Sequence, residues 1–165
     1  MAEENQTSQA TKTEQEQEQR FIIHRVYVKD VSFESPSAPT IFTEQWEPKT
    51  DLQMNTEASP QGESFYEVKI QLTVTVKSAD KTAFLVEVIQ AGIFEISGYN
   101  QQEMQHILSA YAPSVLFPYA REVISGLVSK GSFPELHLAP INFDALYAQS
   151  IEEAKQQDAG SSVDA

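Results

Sequence analysis

The sequence predicts an α+β fold, an antiparallel sheet with helices on one face. Three observations lead there. Val68 to Lys77 alternates strictly, with Val68, Ile70, Leu72, Val74 and Val76 on one side and Lys69, Gln71, Thr73, Thr75 and Lys77 on the other. That is the pattern of a half-buried strand. Gln101 to Lys130 carries large apolar residues three and four apart, the spacing of a helix. Along the chain the order is strand, long crossover, hairpin, long helix, short strand, helix, which suits an antiparallel sheet better than a parallel one.

The elements follow in turn. Residues 1–19 are Gln, Glu and Thr with almost no apolar content, so they are expected to be disordered. Phe21 to Glu34 reads as the first strand. Neither of its alternating rows is purely apolar, and Asp30, Ser32 and Glu34 fall on one face, expected to be wet or partner-facing. Ser35 to Glu63 carries Pro36, Pro39, Pro48 and Pro60 and no sustained period. A connection this long inside a compact domain is unusual and commonly functional. Its large apolar groups, Ile41, Phe42, Trp46, Leu52 and Met54, either pin it to the core or line a groove beneath it.

Ser78-Ala79-Asp80-Lys81 is the expected turn into a third strand, Thr82 to Ile96. On that strand Leu85 and Glu87 share a face, and Gly92 marks a bulge or a close backbone approach. The long helix then has two apolar rows. Met104, Leu108, Tyr111, Val115, Tyr119, Val123 and Leu127 form one; Ile107, Ala110, Phe117, Ala120, Ile124 and Val128 form the other. A surface helix needs one such stripe. Two stripes imply cover on two sides, the sheet on one and a second subunit on the other. Pro113 and Pro118 inside it imply a kink or two abutting helices. Gly131 is a natural stop, Leu136-His137-Leu138 reads as a short strand, and a last helix capped by Asn142 or Asp144 runs to about Lys155. Residues 156–165 read as a second disordered tail, leaving one domain over 20–155.

Composition narrows the function. The chain has 165 residues, a formal net charge of -13 and no cysteine. Such charge argues against nucleic acid and against anionic membrane surfaces, and suits a basic or metal-bearing partner. The absence of cysteine excludes disulfides and thiolate metal sites. No run is long enough for a membrane span, so no direct membrane insertion is expected, and the polar acidic start is no signal peptide; the expected compartment is the cytoplasm.

Four segments carry a resemblance: YVKDVSFESPSAP at 27–39, TAFLVEV at 82–88, GIFEISG at 92–98, and LFPYAREVISGLVSKGSFPELHLAPINFDALY at 116–147. They are similar to SecB, the bacterial protein-export chaperone family, over Phe21 to Ile151. The resemblance implies a four-stranded antiparallel sheet with a long kinked helix and a C-terminal helix on one face, assembled as a homotetramer, a dimer of dimers. It implies an ATP-independent chaperone that holds unfolded secretory precursor proteins and passes them to the SecA translocase motor. Carried over by motif, the SecA-binding residues are Asp30, Glu34, Leu85 and Glu87, which would meet the zinc-bearing C-terminal segment of SecA; the zinc is SecA's. A client groove is implied at Trp46, Leu52 and Met54 on the crossover, Tyr66 beside them, and Phe143, Leu146, Tyr147 and Ile151 on the last helix. Aromatic and Met side chains suit a promiscuous site because they give adaptable apolar contact. The alternative is a SecB-like chaperone dedicated to another client such as an antitoxin, which would not need the acidic face.

Enzyme readings find little support. Glu103 and His106 have the Glu-x-x-His spacing of carboxylate metal sites, but those sites use it twice with two further Glu. His24 and His137 are isolated. No nucleophile elbow, phosphate loop or dinucleotide fingerprint is present, so neither catalysis nor a cofactor is expected.

Overall fold

The computed structural model describes residues 18–161, with side chains to residue 157. Most of residues 1–19 and the last four residues, expected as tails, therefore lie outside the described residues. Four strands, β1 (Arg20–Glu34), β2 (Pro48–Pro60), β3 (Phe65–Ser78) and β4 (Lys81–Ser97), form one antiparallel sheet in the order β1-β4-β3-β2. A short helix α1 (Gln101–His106), a π turn (Ile107–Tyr111) and α2 (Ala112–Lys130) make the long helix, and α3 (Phe143–Ser161) ends the described chain.

The central strands carry the core. Val68, Ile70, Leu72, Val74 and Val76 of β3 and Phe84, Val86, Val88, Phe94 and Ile96 of β4 are all buried on the helix-facing side. From the long helix, Ile107, Ala110, Leu116, Phe117, Ala120, Ile124 and Val128 come down on them. These are the second of the two rows read from the sequence, with Leu116 added. The first row is only partly covered in the single chain: Met104, Leu108, Val115, Val123 and Leu127 are half-buried against the core, while Tyr111 is 50% exposed and Tyr119 52%.

β1 resolves the mixed pattern of its sequence by two bulges. Its register with β4 shifts between Ile23 and Arg25 and again between Val28 and Asp30. An extra residue reverses which face the following side chains occupy. Phe21 and Ile23, then Val26 and Val28, then Val31 and Phe33 therefore all lie opposite inward-facing positions of β4. No single row of the sequence could be apolar, because the apolar face changes row twice.

The crossover is the chief correction. The segment expected to lack a period contains β2, paired residue by residue with β3 from Pro48 opposite Ser78 to Pro60 opposite Tyr66. The inward row is Thr50, Leu52, Met54, Thr56 and Ala58, too weakly apolar to stand out, and the prolines sit at the two ends of an edge strand, where they cost no interior ladder bond. Before it, Ile41 is buried, and the Ser78 hydroxyl accepts from Glu47 N–H at 2.9 Å and donates to Gln45 C=O at 3.2 Å.

Leu136-His137-Leu138 is not a strand. It lies along α2, where the Ser125 hydroxyl donates to Leu136 C=O at 2.8 Å and Leu138 is buried. The fourth strand is β2 instead.

Local signals otherwise hold. The β3–β4 turn has Ala79 and Asp80 both at positive φ (48° and 64°), as a two-residue hairpin turn requires. Asn100 caps α1 in a capping box with Glu103. The π turn directly precedes Pro113, which has no N–H to offer the carbonyl of Ser109; Ala112 N–H instead reaches back to Ile107 C=O. Gly131 ends α2 at φ -76°, and it is Ser132 that takes positive φ (63°). Glycine is needed at 131 for another reason, since a β-carbon there would lie 2.5 Å from Phe33 Cζ. Asn142, not Asp144, caps α3 by accepting from Ala145 N–H at 3.0 Å, and the helix continues past Lys155, taking in residues 156–161 that were expected as tail.

Candidate functional site

The two faces of the sheet offer different chemistry. On the outer face, Asp30, Ser32 and Glu34 of β1 stand opposite Ile89, Glu87 and Leu85 of β4. Beyond β4 come Gln71, Thr73 and Thr75 of β3, and beyond them Asn55, Gln53 and Asp51 of β2. Successive strands lie about 4.8 Å apart, so this is one continuous patch. The second bulge of β1 is what puts Asp30, Ser32 and Glu34 on it.

Four carboxylates, Asp30, Glu34, Asp51 and Glu87, thus share the patch with two apolar side chains, Leu85 and Ile89. The Thr73 hydroxyl donates to Glu87 Oε2 at 3.0 Å and fixes that carboxylate at the centre. Among the described residues none of the four takes part in a salt bridge. Carboxylates without a salt-bridge partner, exposed at Asp30, Glu34 and Asp51 and half-buried at Glu87, can attract a basic partner by charge and bury Leu85 against it.

The helix-facing side holds the residues expected to line a groove, and the structure spreads them along it. Trp46 packs on Phe133 with ring centroids 5.8 Å apart, in a cluster with Phe33, Phe42 and Phe84. Beside it is a cavity of about 80 Å³ walled also by Pro48, Thr50, Val76, Phe84 and Pro134 to Leu136. Leu52 and Met54 lie on β2, not on a loop, opposite Val74 and Leu72, and Tyr66 pairs with Pro60 near the far end.

At that far end Tyr147 meets His106 edge-to-face, 5.3 Å between centroids, and lines a cavity of about 420 Å³ with Gln19, Tyr99, Gln102, Glu103, His106 and Ile107. Phe143 is buried against Phe117 (5.9 Å), a core anchor of α3 rather than an open contact; Leu146 is exposed and Ile151 half-buried. Trp46 and Tyr147 therefore mark opposite ends of the face, with Leu52 and Met54 between them. Sequence reading missed Phe133 and Tyr99 at these cavities and aromatic contacts, and weighed His106 only as a metal ligand. Phe133 could have been found from its place between Gly131 and Pro134; Tyr99 has no local signal.

The Glu-x-x-His pair is spent on structure. Glu103 Oε2 accepts from Asn100 N–H at 3.0 Å, and His106 Nε2 lies 2.7 Å from Asp144 Oδ1, tying α1 to the start of α3. Among the described residues no group of three or more His, Cys, Asp or Glu is arranged to hold a metal ion, and no helix is long and apolar enough to cross a membrane.

Comparison with known proteins decides the family. The SecB family, described as preprotein translocase subunit SecB, matches residues 14–154. The chain belongs to the SecB family. Among SecB relatives, the protein-export protein SecB of Methylococcus capsulatus is 52% identical over 143 residues, 87% of this chain and 92% of that protein. Those of Marinobacter nauticus and Legionella pneumophila are 48% and 49% identical, and cover 95% and 91% of this chain and 94% and 93% of their own lengths. The solved structure of a SecB-like chaperone from Mycobacterium tuberculosis in complex with an antitoxin peptide superposes with a TM-score of 0.63 at 16% identity, over 74% of this chain and 91% of that one. At that identity the likeness speaks to the SecB fold alone.

Proposed function

We propose that this SecB-family chain is an ATP-independent holding chaperone of the cytoplasm, which keeps precursors of exported proteins unfolded and hands them to SecA. The observation that carries the reading is the separation of two surfaces by one sheet. The outer face offers Asp30, Glu34, Leu85 and Glu87 to the basic, zinc-bearing C-terminal segment of SecA. The helix-facing side offers apolar contact, from Trp46 through Leu52 and Met54 to Tyr147, to extended apolar stretches of clients. Both can be occupied together, as a handover requires. No step in this activity calls for a catalytic group.

The assembly we infer is a homotetramer, a dimer of dimers. Its support is the apolar surface left exposed in the single chain: Tyr111 and Tyr119 on the long helix, with Val115 and Val123 half-buried between them, and Ile23, Val28 and Val31 on β1. Contiguous apolar surface of this kind marks an interface. Several weak grooves on one tetramer would act together through effective concentration.

A chaperone dedicated to an antitoxin is the second reading, suggested by the antitoxin peptide bound to the Mycobacterium tuberculosis structure. The presence of Asp30, Glu34, Leu85 and Glu87 together favours export, since that client alone gives no reason for them.

The test is light scattering of a chemically unfolded secretory precursor, diluted without nucleotide, with and without the protein. Suppression near one tetramer per client is the expected result. Unchanged aggregation in the presence of folded tetramer would refute the holding activity.

A further inference from the structure

The second bulge of β1 decides which way its acidic end faces. The register steps from Val28 opposite Gln90 to Asp30 opposite Ile89, leaving Lys29 with no residue of its own across the ladder. A bulge interrupts the ladder hydrogen bonds that would otherwise hold its position. If it moved one place toward the C-terminus, Asp30 would become the extra residue. Its carboxylate would leave the row it shares with Ser32 and Glu34.

The chain holds the extra residue from two strands away. Lys29 Nζ donates to Glu67 Oε1 at 2.6 Å, and the Tyr27 hydroxyl donates to the same oxygen at 2.5 Å. Glu67 is on β3, and β4 lies between. The two donors cross β4 at Ala91, the residue opposite Tyr27 on one side and Lys69 on the other, whose small side chain leaves room. Glu67 is only 8% exposed, an uncommon place for a carboxylate unless it is paired. Lys29 and then Tyr27 hold its carboxyl below the usual range, and Lys69 adds to this from its own strand. Burial, then Glu67, pushes the Tyr27 phenol up to about 12. Carboxylate and phenol therefore keep complementary states throughout the neutral range.

We propose that Lys29, Tyr27 and Glu67 form a positioning clamp for the outer acidic face, pinning the bulge at Lys29 so that Asp30 stands beside Glu34, Leu85 and Glu87. The inference rests on the docking role of that face given above. The clamp itself touches no partner.

Lys29→Met is the informative variant, because charge and position pull in opposite directions. It makes the protein more negative, so electrostatics alone would tighten binding of a basic partner. Loss of the clamp weakens it. The probe is a zinc-loaded synthetic peptide of the SecA C-terminal segment, titrated against the full chain, with client holding as the check of folding. The expected result is about fivefold weaker binding for Lys29→Met, a change in the same direction for the uncharged Tyr27→Phe, and no additivity between Lys29→Met and Asp30→Ala. Equal or tighter binding by Lys29→Met, while Glu87→Lys abolishes binding, overturns the clamp. If Glu87→Lys itself leaves the peptide bound, the docking reading fails instead, and amide hydrogen exchange decides the clamp separately. Faster exchange over Lys29–Ser32 in Lys29→Met supports it, and unchanged exchange refutes it.

Discussion

Gly92 lies directly beneath Leu116. A β-carbon at Gly92 would stand 3.0 Å from Leu116 Cδ2 and 2.8 Å from Phe94 Cε2. Leu116 and Phe94 are both fully buried, so neither can swing away. This contact sets how close α2 rides to β4. Gly92→Ala is expected to destabilise the fold by about 1–3 kcal/mol through overpacking, seen as a lower urea midpoint at unchanged slope. An unchanged midpoint would mean that the helix can lift at no cost.

Trp46 and Tyr147 sit at opposite ends of the helix-facing side. Each single alanine variant is expected to weaken binding of a long unfolded precursor by several-fold, and the pair by about tenfold or more. A short peptide that fills one end should respond to one substitution only. Binding of the SecA segment should stay as in the parent. Full client affinity in the double variant would show that the groove lies elsewhere.

Glu87, fixed by Thr73 at the centre of the outer face, is the position where charge reversal should hurt docking most. Glu87→Lys is expected to cost about tenfold or more in affinity for the SecA segment, with client holding intact, and the parent interaction should weaken as salt rises. Docking that survives Glu87→Lys at physiological salt would remove the outer face from the mechanism.

Glu67 gives the pH dependence a definite sign. Its folded-state pKa is lowered by Lys29 first and Tyr27 second. The stability it contributes is therefore fully present above the ordinary glutamic acid range and is lost as pH falls through its lower folded value. The stability gap between the parent and Glu67→Gln should be constant near neutrality and close below about pH 4. A gap that widens on acidification would contradict the ionised clamp.

Asn100 begins the long helix with a reciprocal cap to Glu103. Asn100→Ala should cost about 1 kcal/mol and speed hydrogen exchange in the first turn of α1. Equal exchange there would show that packing alone holds that end.

The sequence was most legible where one physical signal acted alone. The strict alternation of β3 reports a strand with one face buried, and it is one. Of the two apolar rows of the long helix, the second is buried on the sheet, while the first is half-buried apart from the exposed Tyr111 and Tyr119. Asp30 with Glu34, and Leu85 with Glu87, fall on one face as the alternation required.

Legibility failed where two signals were superposed. β1 hides its apolar face because each bulge moves it to the other row. β2 looks like a loop in sequence because its inward residues, Thr50, Leu52, Met54, Thr56 and Ala58, are too mild, and because prolines that mark its ends have the look of breakers. Leu136 to Leu138 has a strand's alternation but lies against α2, where a side chain and not a neighbouring strand takes the carbonyl of Leu136. Of the residues expected to line a groove, Trp46 and Tyr147 line two separate cavities; where Tyr147 falls depends on how α3 packs, and no local pattern encodes that.

The free edge of β2 has a further meaning for a protein expected to live among sticky, extended chains. Its 13 residues pair with β3 without a single bulge, so its outer side is a straight template for another strand. Yet the strand starts at Pro48 and stops at Pro60, and neither nitrogen has a hydrogen to give. Any chain that zips onto this edge meets a terminator at both ends. The prolines thus confine such a ladder to the residues between them.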